Sequence, residues 1–232
     1  MPNKKQIFCF TYAGGNASFY DQIEKDLPEY DLEKLEYAGH GKRHKEPLCQ
    51  NFTEVADDLY TMIKELYTGE PYALFGYSMG TISLVEVLKR ILYEKKLSVP
   101  NHVFLAAHEP ITKTGYVNID ENRSDEWIRE RTIQFGTVPE VLLNNKSFWR
   151  MYLPLYRADY RMIGLYRFED LRLSTKVPAD VFYSEEDTRL EDMKLWKNIF
   201  IGECSFHEFF GKHFFIQEYH EKIADIIRDR LK

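Results

Sequence analysis

The chain has 232 residues, of which 44% are hydrophobic and 29% charged, a composition that supports one sizeable globular core. Its formal net charge is −6 and no Lys/Arg block stands out, which argues against a nucleic-acid-binding protein. Only a short apolar run follows Lys4 and Lys5, so we expect no signal peptide and no membrane span. Cys9, Cys49 and Cys204 are widely spaced, as in cytoplasmic proteins with reduced thiols, and we expect no disulfide, metal site or cofactor.

Short aromatic and aliphatic runs bounded by Gly, Pro or polar residues predict six β-strands. They cover residues 6–12, 32–37, 72–77, 102–107, 179–184 and 206–211. Apolar residues recur every three or four positions over 52–66, 82–92 and 219–227, which predicts helices there. Asn51 and Glu54 resemble a capping box before the first of them. Strands alternating with helices predict an α/β fold, with a mostly parallel sheet covered on both faces.

The segment from about 111 to 170 breaks this alternation, because it contains helical patterns and no convincing strand. We therefore expect one domain over residues 1–232 with a helical insertion at about 111–170. Such an insertion is suited to act as a lid over a site at the carboxyl ends of the strands, and the alternative is an extension of the core. Pro154 is expected to kink or interrupt its last helix. The expected apolar stripe of that helix, which also carries Asp159, consists of Phe148, Tyr152, Leu155, Met162 and Tyr166.

The motif Gly76-Tyr77-Ser78-Met79-Gly80 lies between a predicted strand and a predicted helix. This G-x-S-x-G pattern is typical of a serine nucleophile on a tight strand-to-helix turn. The two glycines remove side chains that would collide at such a turn. The helix that follows points its first amides at the same place, so the N–H of Met79 is positioned for an oxyanion. The alternative is a serine that merely caps the helix.

A nucleophile of this type requires an acid and then a histidine later in the chain. Five of the seven histidines follow Ser78, and His213 lies in the loop after the last predicted strand, where a general base is expected. The other four lie before the insertion, within a strand or within the terminal helix: His102, His108, His207 and His220.

The acid is expected just after the strand over 179–184. Asp187 is placed there, although its neighbours Glu185 and Glu186 remain close alternatives. Asp180 lies at the start of that strand, on the opposite edge of the sheet, where we expect it to cap or to face solvent.

The loop after the first strand is expected to supply a second oxyanion donor. Its sequence is TYAGGNASFY, in which Gly14 and Gly15 permit close backbone approach and Ala13 presents an unencumbered amide. The loop matches neither the dinucleotide-binding nor the P-loop pattern, which disfavours nucleotide binding.

Five segments in order resemble the type II thioesterases, the editing enzymes of polyketide and nonribosomal peptide synthesis, which have the α/β-hydrolase fold. The segments are YAGGNASFY (12–20), YAGHGKRHKEPL (37–48), GYSMG (76–80), LPLYRAD (153–159) and GKHFFI (211–216). Two positions depart from the family pattern, since Thr11 stands where the family usually has Pro and His40 where it usually has Arg.

The resemblance implies a catalytic triad of Ser78, Asp187 and His213, with the backbone N–H groups of Ala13 and Met79 as oxyanion donors. It also implies hydrolysis of acyl thioesters on the phosphopantetheine arm of an acyl or peptidyl carrier protein, beside a polyketide or nonribosomal peptide synthase in antibiotic biosynthesis. The alternatives are a general carboxylesterase, a medium-chain fatty acyl thioesterase and a non-catalytic carrier-binding protein.

Overall fold

The computed structural model describes residues 4–110, 123–136 and 138–232. Within these ranges, six parallel strands form one sheet in the order β2-β1-β3-β4-β5-β6. The strands are β1 (Gln6–Phe10), β2 (Asp31–Leu35), β3 (Tyr72–Tyr77), β4 (His102–Ala106), β5 (Ala179–Tyr183) and β6 (Cys204–Glu208). The predicted α/β class is confirmed, and the last strand begins two residues earlier than the sequence pattern indicates.

Helices flank this sheet. They are α1 (Asp21–Asp26), α2 (Phe52–Leu66), α3 (Met79–Glu94), α4 (Asp125–Phe135), α5 (Lys146–Leu165), α6 (Phe168–Leu171), α7 (Leu190–Met193) and α8 (His220–Arg230). The cap of α2 forms as expected, since the Asn51 side chain accepts from the Glu54 N–H at 2.9 Å. The Glu54 carboxylate accepts in turn from the Gln50 N–H at 2.7 Å.

Every residue of β1, β3, β4 and β5 is buried, because apolar side chains pack on both faces of the sheet. One face, which includes Phe8 and Phe10, packs against α2, α3 and the α5 region. The other, which includes Ile7 and Cys9, packs against α1 and α8. Burial on both faces explains why these strands have almost continuous apolar sequences.

The described part of the expected insertion contains α4, α5 and α6, while residues 111–122 lie outside the described residues. Helix α5 continues through Pro154, so the helix is not interrupted there. Pro154 is exposed, so water can reach the carbonyl that loses its helical partner there. The expected apolar stripe was only partly correct, since Asp159 and Met162 are buried as expected. The buried side of α5 carries Trp149, Leu153, Tyr156, Asp159, Tyr160 and Met162, whereas Phe148, Tyr152 and Leu155 are partly exposed.

The chain order creates a crevice at the carboxyl edge of the sheet. From β1 the chain passes to the edge strand β2 and returns through α2 to β3, on the other side of β1. Phe10 at the end of β1 is in register with Gly76 of β3. The loops that follow these two strands therefore diverge at the point where α/β proteins bind ligands.

Candidate active site

Ser78 lies on the sharp turn between β3 and α3. Its φ of 54° and ψ of −122° form a conformation that non-glycine residues rarely adopt. The turn is held by the Ser78 N–H, which donates to the Ala106 carbonyl at 2.8 Å. It also requires glycine at position 80, because a Cβ there would lie 2.1 Å from the Phe10 carbonyl oxygen. Although Ser78 occupies the N-cap position of α3, its side chain makes no capping hydrogen bond, and the hydroxyl faces His213 instead.

Ser78, His213 and Asp187 form a continuous hydrogen-bonded series. Ser78 Oγ lies 2.9 Å from His213 Nε2, and His213 Nδ1 lies 2.9 Å from Asp187 Oδ2 and 3.0 Å from Oδ1. The two alternative acids have other partners. Glu185 accepts from the Leu190 N–H at 2.9 Å, and Glu186 from the Gly211 N–H at 3.2 Å. The structure thus places Asp187, and neither glutamate, against the imidazole.

Contacts from β3, from α4 and between the loops after β5 and β6 hold the imidazole of His213 in place. The Tyr77 hydroxyl donates to the His213 carbonyl, and the Ser184 hydroxyl donates to the Gly211 carbonyl. From the insertion, the Phe135 ring packs with its centroid 4.7 Å from that of His213. These contacts fix the ring between the serine and the carboxylate, as a general base requires.

The predicted oxyanion donors lie near this serine, Met79 as its neighbour in the chain and Ala13 in the wall of the same cavity. Ala13 lines the same cavity as Ser78, and Met79 is the first residue of α3, where helix amides have no intrahelical acceptor. Within the described ranges, neither the Ala13 nor the Met79 N–H donates to another protein group. The neighbouring Gly14 N–H differs, because it donates to Asp159 Oδ2 at 2.7 Å.

Asp159 and His40 form a buried link that sequence reasoning missed. Asp159 is fully buried and His40 is 3% exposed. His40 Nε2 lies 3.0 Å from Asp159 Oδ2, and its Nδ1 lies 3.0 Å from the Ala38 carbonyl oxygen. Both ring nitrogens therefore face acceptors, which favours the imidazolium. Burial alone lowers the pKa of His40, but the Asp159 carboxylate outweighs it, and the pKa is raised above the usual 6.5.

A cavity of about 210 Å³ opens at Ser78. Five aromatic side chains line it: Tyr12, Trp127, Phe135, Tyr160 and Phe214. Three of these belong to α4 and α5, so these two helices form part of the cavity wall beside Ser78. The aromatic side chains can pack against an acyl group whose carbonyl lies at Ser78, while Glu109, Arg131 and Thr188 add polar groups to the same wall.

His108 lies in the wall of this cavity, although its position in the chain is too early for a triad base. Burial lowers its pKa, which favours the neutral ring. Its Nδ1 is buried and has no hydrogen-bond partner among the described residues. Chain order alone could not reveal this position, because it depends on where β4 ends relative to β5.

The expectation that Asp180 caps or faces solvent is wrong. It is 1% exposed rather than facing solvent, and it lies at the amino edge of the sheet, away from Ser78. Its carboxylate binds His102 Nε2 at 2.6 Å, His207 Nε2 and the Arg230 guanidinium. Three cationic or polar partners satisfy the buried carboxylate, which makes this cluster a structural one.

A serine, a carboxylate and a histidine placed in this order at the carboxyl edge of a parallel sheet define an α/β-hydrolase. The chain belongs to the thioesterase domain family, whose family model matches residues 5–231. The resemblance to thioesterases drawn from the five sequence segments is confirmed.

Individual thioesterases match over nearly the whole chain. The medium-chain S-acyl fatty acid synthase thioesterase of Rattus norvegicus is 25% identical over 92% of this chain and 82% of its own. The type II thioesterase BorB from the borrelidin biosynthetic cluster superposes with a TM-score of 0.85 at 25% identity, covering 100% of this chain and 94% of BorB. ClbQ from the colibactin NRPS/PKS pathway shares the fold, with a TM-score of 0.90 at 24% identity over 99% of this chain and 97% of ClbQ.

The described residues contain no group of His, Cys, Asp and Glu side chains that could hold a metal ion. In the same ranges, none of the helices is both long and apolar enough to cross a membrane.

Proposed function

We propose that the protein is a serine thioesterase that hydrolyses acyl groups from the phosphopantetheine arm of carrier proteins in polyketide or nonribosomal peptide synthesis. The hydrogen-bonded series Ser78–His213–Asp187 beside the α4 and α5 helices carries this proposal. Membership of the thioesterase family supports a thioester as the substrate. The similarity to BorB, a type II thioesterase of a biosynthetic cluster, supports an editing role that removes stalled or incorrect acyl groups.

In the first half of the reaction, His213 Nε2 takes the proton of the Ser78 hydroxyl as the oxygen attacks the thioester carbonyl. Asp187 holds the imidazole in the tautomer that presents Nε2 to the serine and stabilises the imidazolium that forms. The N–H groups of Ala13 and Met79 stabilise the oxyanion, and loss of one such donor costs roughly 100- to 1,000-fold in rate in other hydrolases. The thiol then leaves with the proton held by His213.

In the second half, water enters and His213 removes its proton as the oxygen attacks the acyl-Ser78 ester. The same two amides stabilise the second oxyanion. Ser78 regains its proton from His213 as the carboxylic acid leaves, so the free enzyme is restored with no cofactor.

Intact-protein mass spectrometry of acyl-loaded carrier proteins tests this function. The native protein should convert acyl carriers to the free-thiol form, while Ser78→Ala should leave them loaded. Ser205→Ala provides a matched control, because Ser205 lies at the start of β6, at the opposite edge of the sheet. Equal kcat/KM values for a thioester and its oxygen ester would favour a general carboxylesterase.

A medium-chain fatty acyl thioesterase is the second candidate, because the matching relatives include such an enzyme. The cavity of about 210 Å³ is smaller than the roughly 300–1,000 Å³ of common ligand pockets, which favours a short acyl group. Comparing acetyl and dodecanoyl groups on the same carrier separates the two candidates, since the proposed editing enzyme should prefer the acetyl group.

A further inference from the structure

A second, larger concavity lies on helices α4 and α5, apart from the cavity at Ser78. Its volume is about 730 Å³, and five basic side chains line it: Arg129, Lys146, Arg150, Arg157 and Arg161. Among its described lining residues, Asp125 is the one acidic side chain, and it pairs with Arg157. We call this surface the basic groove. This predominantly basic lining contrasts with a chain whose net charge is −6.

Apolar groups also line the basic groove. The Arg129 guanidinium lies over the Trp149 ring, 5.6 Å from its centroid, and Leu153 and Pro154 line the groove as well. Lys146 and Arg150 are exposed at one end. A lining of charged and apolar side chains can bury part of a partner and attract it electrostatically.

The groove is long. Along α5 it extends from Lys146 to Arg161, a helical length of about 22 Å at about 1.5 Å per residue. A single phosphate would occupy one end of this length, whereas an acidic helix of a folded partner would occupy all of it.

The groove and the active-site cavity share two helices. Asp125 and Arg129 of α4 line the groove, while Trp127 and Arg131 line the cavity. Residues two apart point to nearly opposite sides of a helix. A partner bound in the groove would therefore contact one side of α4 and α5, while the opposite side of these helices faces the cavity at Ser78.

We propose that the basic groove is the docking surface for an acidic helical face of the carrier protein. This inference rests on the proposed function, since it assumes a carrier-bound substrate. Docking on α4 and α5 couples carrier binding to the helices that line the cavity at Ser78, so the carrier itself favours substrate entry.

Charge reversal tests the docking surface. The variant Lys146→Glu/Arg150→Glu changes two exposed side chains outside the catalytic machinery, and Lys176→Glu/Lys222→Glu makes the same charge change on exposed lysines elsewhere. Binding of an acidic acetyl-loaded acyl carrier protein is measured in the Ser78→Ala background, so that affinity does not depend on turnover. Turnover is measured with native Ser78 on the same carrier, on acetyl-CoA and on acetyl-N-acetylcysteamine.

We expect the groove variant to weaken carrier binding by about 10-fold or more at low salt and by less at high salt. The control pair should change binding little, and kcat/KM for acetyl-N-acetylcysteamine should stay unchanged in both variants. Replacing acidic residues on the carrier helix by Lys should restore binding to the groove variant.

The docking proposal is wrong if the groove variant binds the carrier as tightly as the control pair does. Equal losses for acetyl-CoA and the carrier would also overturn it, because the groove would then hold nucleotide phosphates. Failure of the proposed function has a different signature, in which native protein hydrolyses no thioester while carrier binding still depends on the groove.

Discussion

Replacing Asp159 by Asn tests how the insertion controls the oxyanion loop. Asp159 lies on α5, is fully buried, and binds both the Gly14 N–H and His40. The amide oxygen of Asn can still accept from Gly14, but the substitution removes the negative charge opposite His40. The variant therefore tests the contribution of the Asp159 charge, because Asn has nearly the same shape and keeps the hydrogen bond from Gly14.

The expected cost in stability follows from the burial of both partners. Removing one member of a buried ion pair costs about 3–5 kcal/mol. We expect about 3 kcal/mol, the lower end of that range, because His40 can lose its proton and leave no buried charge. Urea unfolding at pH 6 measures this loss, with Asp229→Asn as a control for the same change in an exposed surface pair.

The pH dependence of this cost has a definite sign. The pKa of His40 is raised in the folded protein, so its contribution is fully present below its unfolded pKa of about 6.5 and is lost as pH rises through the folded value. The difference between native protein and Asp159→Asn should therefore shrink from pH 6 to pH 9. A difference that stays constant over this range would show that His40 is not charged and would refute the reasoning.

The same variant should slow catalysis. If the link holds Ala13 in position, kcat on a small thioester should fall by about 10-fold, less than the roughly 100-fold or greater cost of a lost oxyanion donor. KM should change little, because the oxyanion forms only after binding. An unchanged kcat would show that Ala13 does not depend on Asp159.

Three further predictions concern single residues. Gly14→Ala should lower both Tm and kcat, because its Cβ would lie 2.0 Å from the Tyr156 ring at a φ of 73°; normal activity in this variant would contradict the loop geometry. Asp187→Asn should reduce kcat by about 10⁴-fold, as in other triads, while Glu186→Gln should have little effect. Asp180→Asn should cost about 3–5 kcal/mol in urea unfolding without loss of kcat. Although burial alone raises the pKa of Asp180, hydrogen bonds from the two imidazoles and Arg230 hold it well below its usual value. This contribution is present above pH about 3.9 and is lost as pH falls through the folded pKa.

Most of the sheet could be predicted because its strands are buried on both faces. A strand such as β3, Tyr72–Tyr77, must then be apolar at every position, which the sequence shows directly. The positions of Ser78 and His213 followed from the same pattern, because both lie just after a predicted strand.

Other features depend on contacts that periodicity does not encode. Three consecutive carboxylates follow β5, and the turn geometry that directs Asp187 toward His213 is not visible in their order. The Asp159–His40 contact joins residues 119 positions apart, so only the folded chain reveals it. His40 in its loop and Asp159 at the end of the LPLYRAD segment were both visible in the sequence, but their pairing was not.

We propose Ser78 as the nucleophile, activated by His213. Peptide mass mapping after treatment with an active-site fluorophosphonate tests it most directly. One adduct should form on the peptide that contains Ser78, disappear in Ser78→Ala and form much more slowly in His213→Gln. Undiminished labelling of the Ser78→Ala protein would contradict the claim.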